Sequence, residues 1–106
     1  MDKYTILLVD DEEEVIQAII RKINWEELGF SVVGYADNGI KALEMIEESQ
    51  PDVVMTDIKM PVMDGLELIE KIREQDQSTR IVLLTCYEEF SYLMRAMKLG
   101  VSDYIL

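Results

Sequence analysis

Three aspartates and one threonine stand where short apolar segments of this sequence end. Asp10 and Asp11 follow Ile6–Val9, Asp57 follows a second such segment, and Thr85 closes a third. Two carboxylates about 5 Å apart repel by roughly 3 kcal/mol at an effective dielectric constant of about 20. A hard divalent cation offsets that cost, and Mg²⁺ commonly takes one or two carboxylates plus water and a phosphate oxygen. A carboxylate can also attack phosphorus to form an acyl phosphate, so cation-assisted phosphoryl transfer is the chemistry these residues suit.

Each of these residues also has a purely structural interpretation. Asp10 or Asp11 could cap the first helix, which is a frequent role of aspartate. Asp57 alone fits a turn, and Thr85 alone fits an ordinary strand or turn position. The combination of Asp-Asp after one apolar strand and Asp after another favours a cation site, but residue type and spacing leave both interpretations open.

The elements that would position these residues alternate in period along the chain. Short segments rich in branched and aromatic residues predict five strands, at Thr5–Val9, Ser31–Ala36, Asp52–Thr56, Arg80–Thr85 and Ser102–Leu106. Between them, apolar residues spaced three or four apart predict four helices, with stripes that begin at Val15, Ile40, Leu66 and Phe90. Strands joined by helical crossovers form a mostly parallel sheet with helices on both faces. Ligands of such sheets bind beyond the carboxyl ends of the strands, which is where the three aspartates fall.

Turn residues agree with this division into elements. Gly29 and Gly100 are predicted to end helices. Asp37–Gly39 is predicted to form a turn before the second helix. Asp64 is predicted to cap the third helix, with Glu67 three residues later in a capping-box pattern.

Length and charge exclude several classes of protein. The 106 residues fit one domain, 1–106, and the apolar runs are too short to cross a bilayer. The formal net charge of −12 disfavours direct nucleic-acid binding by this domain, because such a surface repels phosphate backbones. The lone Cys86 cannot form an internal disulfide and suits the cytoplasm.

Three segments resemble the receiver domains of bacterial two-component response regulators: Leu7–Glu12, Asp52–Gly65 and Val82–Thr85. The resemblance covers the whole chain and implies an α/β, flavodoxin-like, doubly wound parallel sheet of order 2-1-3-4-5. It also implies a phosphorylation-operated switch rather than an enzyme, at most losing its own phosphate slowly. Its phosphoryl donor would be a sensor histidine kinase.

By position, Asp57 resembles the phosphoacceptor. Asp10, Asp11 and Asp57 resemble the residues that hold Mg²⁺, and the main-chain carbonyl of Lys59 would be a further ligand.

The resemblance also implies the parts that transmit the signal. Thr85 resembles the switch hydroxyl and Tyr104 the switch aromatic, and a homodimer through the fourth helix and fifth strand is expected. The segment Asn24–Phe30 resembles receivers that carry an AraC-type DNA-binding output domain. The family's Lys after the fifth strand and its final helix would follow Leu106, so we expect a domain truncated before them, marginally stable or self-associating, whose competence for phosphorylation is in question.

Other functions compete with this interpretation. Haloacid-dehalogenase-type phosphatases also use a strand-end Asp and Mg²⁺, but they place a second Asp two residues later, where this sequence has Lys59. A docking module that works without phosphorylation usually lacks an acidic-pocket residue or the acceptor, and all three aspartates are present here. Flavin binding by the same fold would need a phosphate-binding loop of Ser, Thr and Gly after the first strand, and this sequence has no such loop there.

Overall fold

The computed structural model describes residues 3–83, the backbone of residue 84, residue 100 and the backbone of residues 103–105. Within this part of the chain, five parallel strands form one sheet of order β2-β1-β3-β4-β5. The strands are β1 Tyr4–Val9, β2 Phe30–Ala36, β3 Val53–Thr56, β4 Arg80–Leu84 and β5 Asp103–Ile105. The flavodoxin-like fold class and the strand order expected from the sequence are confirmed.

Three helices connect the first four strands and cover both faces of the sheet. They are α1 Glu13–Lys22, α2 Gly39–Ser49 and α3 Gly65–Gln75. The side chains of α2 and α3 pack on one face, whereas Ile16 of α1 packs on the other. The fourth predicted helix, with its stripe from Phe90, lies outside the described residues. No helix in the described ranges is long and apolar enough to span a membrane.

Strand β1 is the centre of the core, as its nearly unbroken apolar sequence predicts. Ile6 and Leu8 face one side of the sheet and Leu7 and Val9 the other, and all four are buried. Strands buried on both faces read as continuous apolar runs rather than as an alternating pattern. Each such fully buried branched side chain contributes roughly 1.5–3 kcal/mol to stability.

A β-bulge interrupts the edge strand β2. Ile6 pairs with Val32, but the next residue, Leu7, pairs with Gly34, so Val33 is the extra residue. A one-residue slip moves the following side chains to opposite faces of the sheet. Tyr35 therefore lies on the α1 side, where its hydroxyl is 3.4 Å from Oε1 of Glu13.

Two helix starts among the predicted turn residues are capped by side chains, whereas one predicted helix end is not found. Asn38 caps α2 by accepting the Lys41 N–H at 3.0 Å, and Asp64 caps α3 by accepting the Glu67 N–H at 2.9 Å. The prediction that Gly29 ends a helix is wrong, because α1 already ends at Lys22.

Gly29 instead closes a separate turn with φ +85°. Its N–H donates to Glu26 O, and the Phe30 N–H donates to Trp25 O. This is the Schellman pattern of hydrogen bonds, the one that ends many helices, here closing a single turn.

Candidate phosphoacceptor and metal site

The sheet topology brings the three aspartates together. β1 and β3 are parallel neighbours, and Val9, the last residue of β1, pairs with Thr56, the last residue of β3. Asp10 and Asp57 each follow directly, and the Asp57 N–H donates to Val9 O at 2.9 Å. One carboxylate oxygen from each of Asp10, Asp11 and Asp57 lies within 4.8 Å of the others. The convergence predicted from the strand ends is therefore confirmed.

Backbone amides orient two of these carboxylates. Oδ1 of Asp10 accepts the Glu12 N–H at 2.9 Å, and Oδ1 of Asp57 accepts the Ile58 N–H at 2.8 Å. The alternative in which Asp10 or Asp11 is the N-cap of α1 is wrong, because Glu12 occupies that position and makes no side-chain cap bond. Asp10 instead fixes the turn that leads into α1.

Burial and mutual repulsion raise the affinity of the site for protons. The pKa of Asp57 is raised to about 6, chiefly by burial and then by the charge of Asp10, with smaller contributions from Asp11 and Glu12. The Ile58 N–H opposes this shift by stabilising the ionised form. The pKa of Asp10 is also raised, first by burial and further by Asp11 and Glu12, against the Glu12 N–H. Close negative charges at a partly buried position make this a site that a cation would stabilise.

The donor set and its dimensions fit Mg²⁺. All three groups offer carboxylate oxygens, the ligands that this hard ion prefers. Each ligand oxygen sits about 2.1 Å from Mg²⁺, so two oxygens on one ion are roughly 3–4 Å apart. The oxygens of Asp10, Asp11 and Asp57 are within 4.8 Å of one another, so small side-chain rotations would bring them onto one ion.

The chain after Asp57 folds back against the acceptor. The Gly65 N–H donates to Ile58 O at 2.7 Å. A Cβ at position 65 would overlap the carbonyl oxygen of Asp57, so only glycine fits. The Thr56 hydroxyl donates to the same carbonyl at 2.9 Å. Lys59 lies in this returning loop with an exposed side chain.

Two predicted site residues cannot be located from the side chains that the structure describes. Thr85 lies outside the described residues, immediately after β4. Tyr104 belongs to β5 and its backbone pairs with Leu83, but its side chain lies outside the description. Sequence reasoning missed Glu12, whose charge acts on both Asp10 and Asp57, and the orienting N–H of Ile58. The acidic run after β1 is a signal for Glu12, whereas a backbone N–H has no signal in residue type.

Comparison with known proteins agrees with this geometry. Residues 6–106 match the family described as the response regulator receiver domain. The chain is 47% identical over 103 residues to the transcriptional regulatory protein YesN of Bacillus subtilis, covering 97% of this chain and 28% of YesN. It is 39% identical over 100 residues to the chemotaxis protein CheY of Halobacterium salinarum, covering 94% of this chain and 81% of that protein. The chain thus spans less than a third of the first relative and most of the second.

A solved structure shows the same likeness in three dimensions. The receiver domain of AraT, a response regulator from Geobacillus stearothermophilus, superposes with a TM-score of 0.90 at 38% identity. The superposition covers 97% of this chain and 80% of that one. This chain belongs to the response regulator receiver domain family.

Proposed function

We propose that this chain is a phosphorylation-operated switch that accepts a phosphoryl group on Asp57 from a sensor histidine kinase. The observation that carries the proposal is the convergence of Asp10, Asp11 and Asp57 at the carboxyl edge of the sheet. Membership of the receiver family makes the chain a signalling module. We infer that it catalyses no turnover beyond slow loss of its own phosphate.

The reaction is a transfer between two protein side chains. A carboxylate oxygen of Asp57 bonds to phosphorus while the bond from phosphorus to the donor histidine nitrogen breaks, so the product is an aspartyl phosphate. Only the ionised carboxylate is a nucleophile, and a pKa of about 6 leaves Asp57 mostly ionised above neutral pH. The Ile58 N–H holds the carboxylate in one orientation before the donor arrives.

Asp10, Asp11, Asp57 and the main-chain carbonyl of Lys59 would hold Mg²⁺. When bound, Mg²⁺ supplies positive charge that offsets the carboxylates and the negative charge of the transferred group. Asp11 is exposed at the rim of the site, and Asp10 is buried beside it. The receiver-domain resemblance implies that Asp11 contributes a directly bound oxygen and that Asp10 acts largely through water.

The proposed switch relies on Thr85 and Tyr104. The hydroxyl of Thr85 would donate to the bound phosphoryl group and bias the fourth helix and the fifth strand, with Tyr104 changing rotamer in response. Thr85→Ala should then be phosphorylated on Asp57 but fail to dimerise or to activate its output. Normal output from phosphorylated Thr85→Ala would remove this role.

The output is proposed from the relatives. YesN is a transcriptional regulatory protein, and we infer that the parent protein of this chain regulates transcription in the cytoplasm through a separate domain. The resemblance of Asn24–Phe30 favours an AraC-type DNA-binding domain. Within this segment the rings of Trp25 and Phe30 pack edge-on, with their centroids 6.3 Å apart. The acidic receiver itself would bind no nucleic acid, and dimerisation would use the fourth helix and fifth strand.

Intact-mass measurement of the domain extended past residue 106, after incubation with acetyl phosphate and Mg²⁺, tests the acceptor. We expect the gain of one phosphoryl group in the wild type and none in Asp57→Asn, which removes the nucleophilic oxygen with little change in shape. Asp64→Asn is the matched control, because Asn caps a helix about as well as Asp. An equal mass gain in Asp57→Asn would disprove the assignment.

A further inference from the structure

The loop between β3 and α3 contains a turn that its sequence does not favour. The Met63 N–H donates to Pro61 O at 2.8 Å, which closes a three-residue turn around Val62. Val62 has φ +70°, in the left-handed region that branched side chains rarely adopt. Val62 is 77% exposed, so its burial does not offset the strain. Contacts elsewhere must hold the turn.

Met63 provides such a contact. Its side chain is partly buried against the core cluster on the α2 and α3 face of the sheet. It also lies directly over Gly39, the first residue of α2. A Cβ added to Gly39 would be 2.7 Å from Met63 Cγ, 2.8 Å from Met63 Cβ and 2.9 Å from the Met63 carbonyl oxygen. The last of these is backbone, which cannot move without moving the loop.

The lack of space for a side chain, rather than the backbone conformation, explains the glycine at position 39. Gly39 is not among the residues with positive φ. It begins a helix, where alanine would be favoured over glycine by intrinsic propensity. The neighbouring loop is therefore what excludes a side chain.

We propose that Gly39 is a positioning residue for the phosphoacceptor loop. Because Gly39 has no side chain, Met63 can pack against the start of α2. This contact anchors the strained turn at Val62 and so fixes the path of residues 58–64. That path carries the Ile58 N–H that orients Asp57 and the Lys59 carbonyl that would bind Mg²⁺. The inference rests on the proposed function for its consequence in phosphoryl transfer, but the anchoring itself does not depend on metal or phosphate.

Hydrogen exchange of the Met63 and Gly65 amides tests the anchoring without metal. Both amides donate to carbonyls of the loop, so exchange reports its opening. We expect Gly39→Ala to accelerate their exchange while the amides of β1 stay protected. Gly34→Ala is the matched control, because its new Cβ would meet only the terminal methyl of Met45, at 2.5 Å, which can swing aside.

Mg²⁺ affinity measured by calorimetry provides the functional readout. We expect Gly39→Ala to bind Mg²⁺ about tenfold more weakly, within the range seen when partners of metal ligands are disturbed, and Gly34→Ala to bind as the wild type does. Adding Val62→Gly to Gly39→Ala should restore part of the affinity, because glycine removes the strain that opens the turn. A residue that only stabilised the fold would lower the urea midpoint without changing the affinity of the folded protein.

If Gly39→Ala does not fold, Met63→Ala removes the anchor without a clash, and Met45→Ala is its control on the same core cluster. Unchanged loop exchange in the Gly39 and Met63 variants, or equal effects in their controls, would overturn the inference. Faster loop exchange together with a wild type that is not phosphorylated on Asp57 would instead refute the proposed function and leave the anchoring intact.

Discussion

Replacing Asp57 by asparagine should make the metal-free protein more stable above neutral pH, although it removes the residue proposed to carry out the function. The pKa of Asp57 rises from its ordinary value of 3.8 to about 6 on folding, because burial and Asp10 disfavour the ionised form. The folded state therefore binds more protons than the unfolded state between about pH 4 and pH 6, and stability falls as pH rises through that window.

The pKa values set the size of this effect. A shift of about two units corresponds to roughly 3 kcal/mol of stability that the ionised carboxylate costs above pH 6 to 7. Asparagine avoids the repulsion but still buries a polar group beside the Ile58 N–H, so we expect a gain of about 1–3 kcal/mol. In a domain of this size, each kcal/mol of added stability raises Tm by roughly 4–8 °C.

The assay is thermal and urea unfolding in EDTA at about pH 8 and about pH 5, because the full carboxylate cost is present at the higher pH and only about half of it at the lower pH. Glu48→Gln is the control, since it removes one charge from an exposed position of α2. The gain of Asp57→Asn should be about twice as large at the higher pH as at the lower pH. A loss of stability at pH 8, a gain that does not depend on pH, or an equal gain in Glu48→Gln would contradict a raised pKa of Asp57 as the source of the effect.

Three further results are expected. Asp11→Asn should weaken Mg²⁺ binding sharply in calorimetry while leaving the urea midpoint nearly unchanged, because Asp11 is exposed; unchanged affinity would contradict its assignment as a ligand. Lowering the pH from about 8 to about 5 should release Mg²⁺, because the raised pKa of Asp57 lets protons compete with Mg²⁺ for its carboxylate. An affinity independent of pH would count against a site at these carboxylates. Asp64→Ala should lower the free energy of unfolding by about 1 kcal/mol, because the cap bond to the Glu67 N–H is lost, whereas Asp64→Asn should match the wild type; equal melts of all three would exclude a capping contribution.

Much of the fold follows from sequence periodicity, and the departures from prediction have local causes. The predicted start of β3 at Asp52 is one residue early, since β3 begins at Val53. The Asp52 carboxylate there accepts the N–H and the hydroxyl of Thr5. The stripe of α2 includes Ile40, which is 44% exposed, while Ala42 is fully buried. The bulge at Val33 could not be predicted, because a one-residue slip in an edge strand leaves no distinct sequence pattern.

The site divides in the same way between what sequence can and cannot predict. Asp10 and Asp57 were predictable because parallel strands carry their terminal residues to one edge. The close approach of Met63 to Gly39 was not, because it depends on the distance between the β3–α3 loop and the start of α2, which only the assembled sheet determines. The positive φ of Val62 was likewise hidden, since valine is among the residues least expected there.

The most direct test of the central claim is to locate the phosphoryl group within the chain. After phosphoryl transfer from a histidine kinase or acetyl phosphate with Mg²⁺, borohydride reduction converts an aspartyl phosphate to homoserine, which peptide mass spectrometry can place in the sequence. We expect homoserine at position 57 and at no other aspartate. Homoserine at another aspartate such as Asp52 or Asp64, with position 57 unmodified, would contradict the claim.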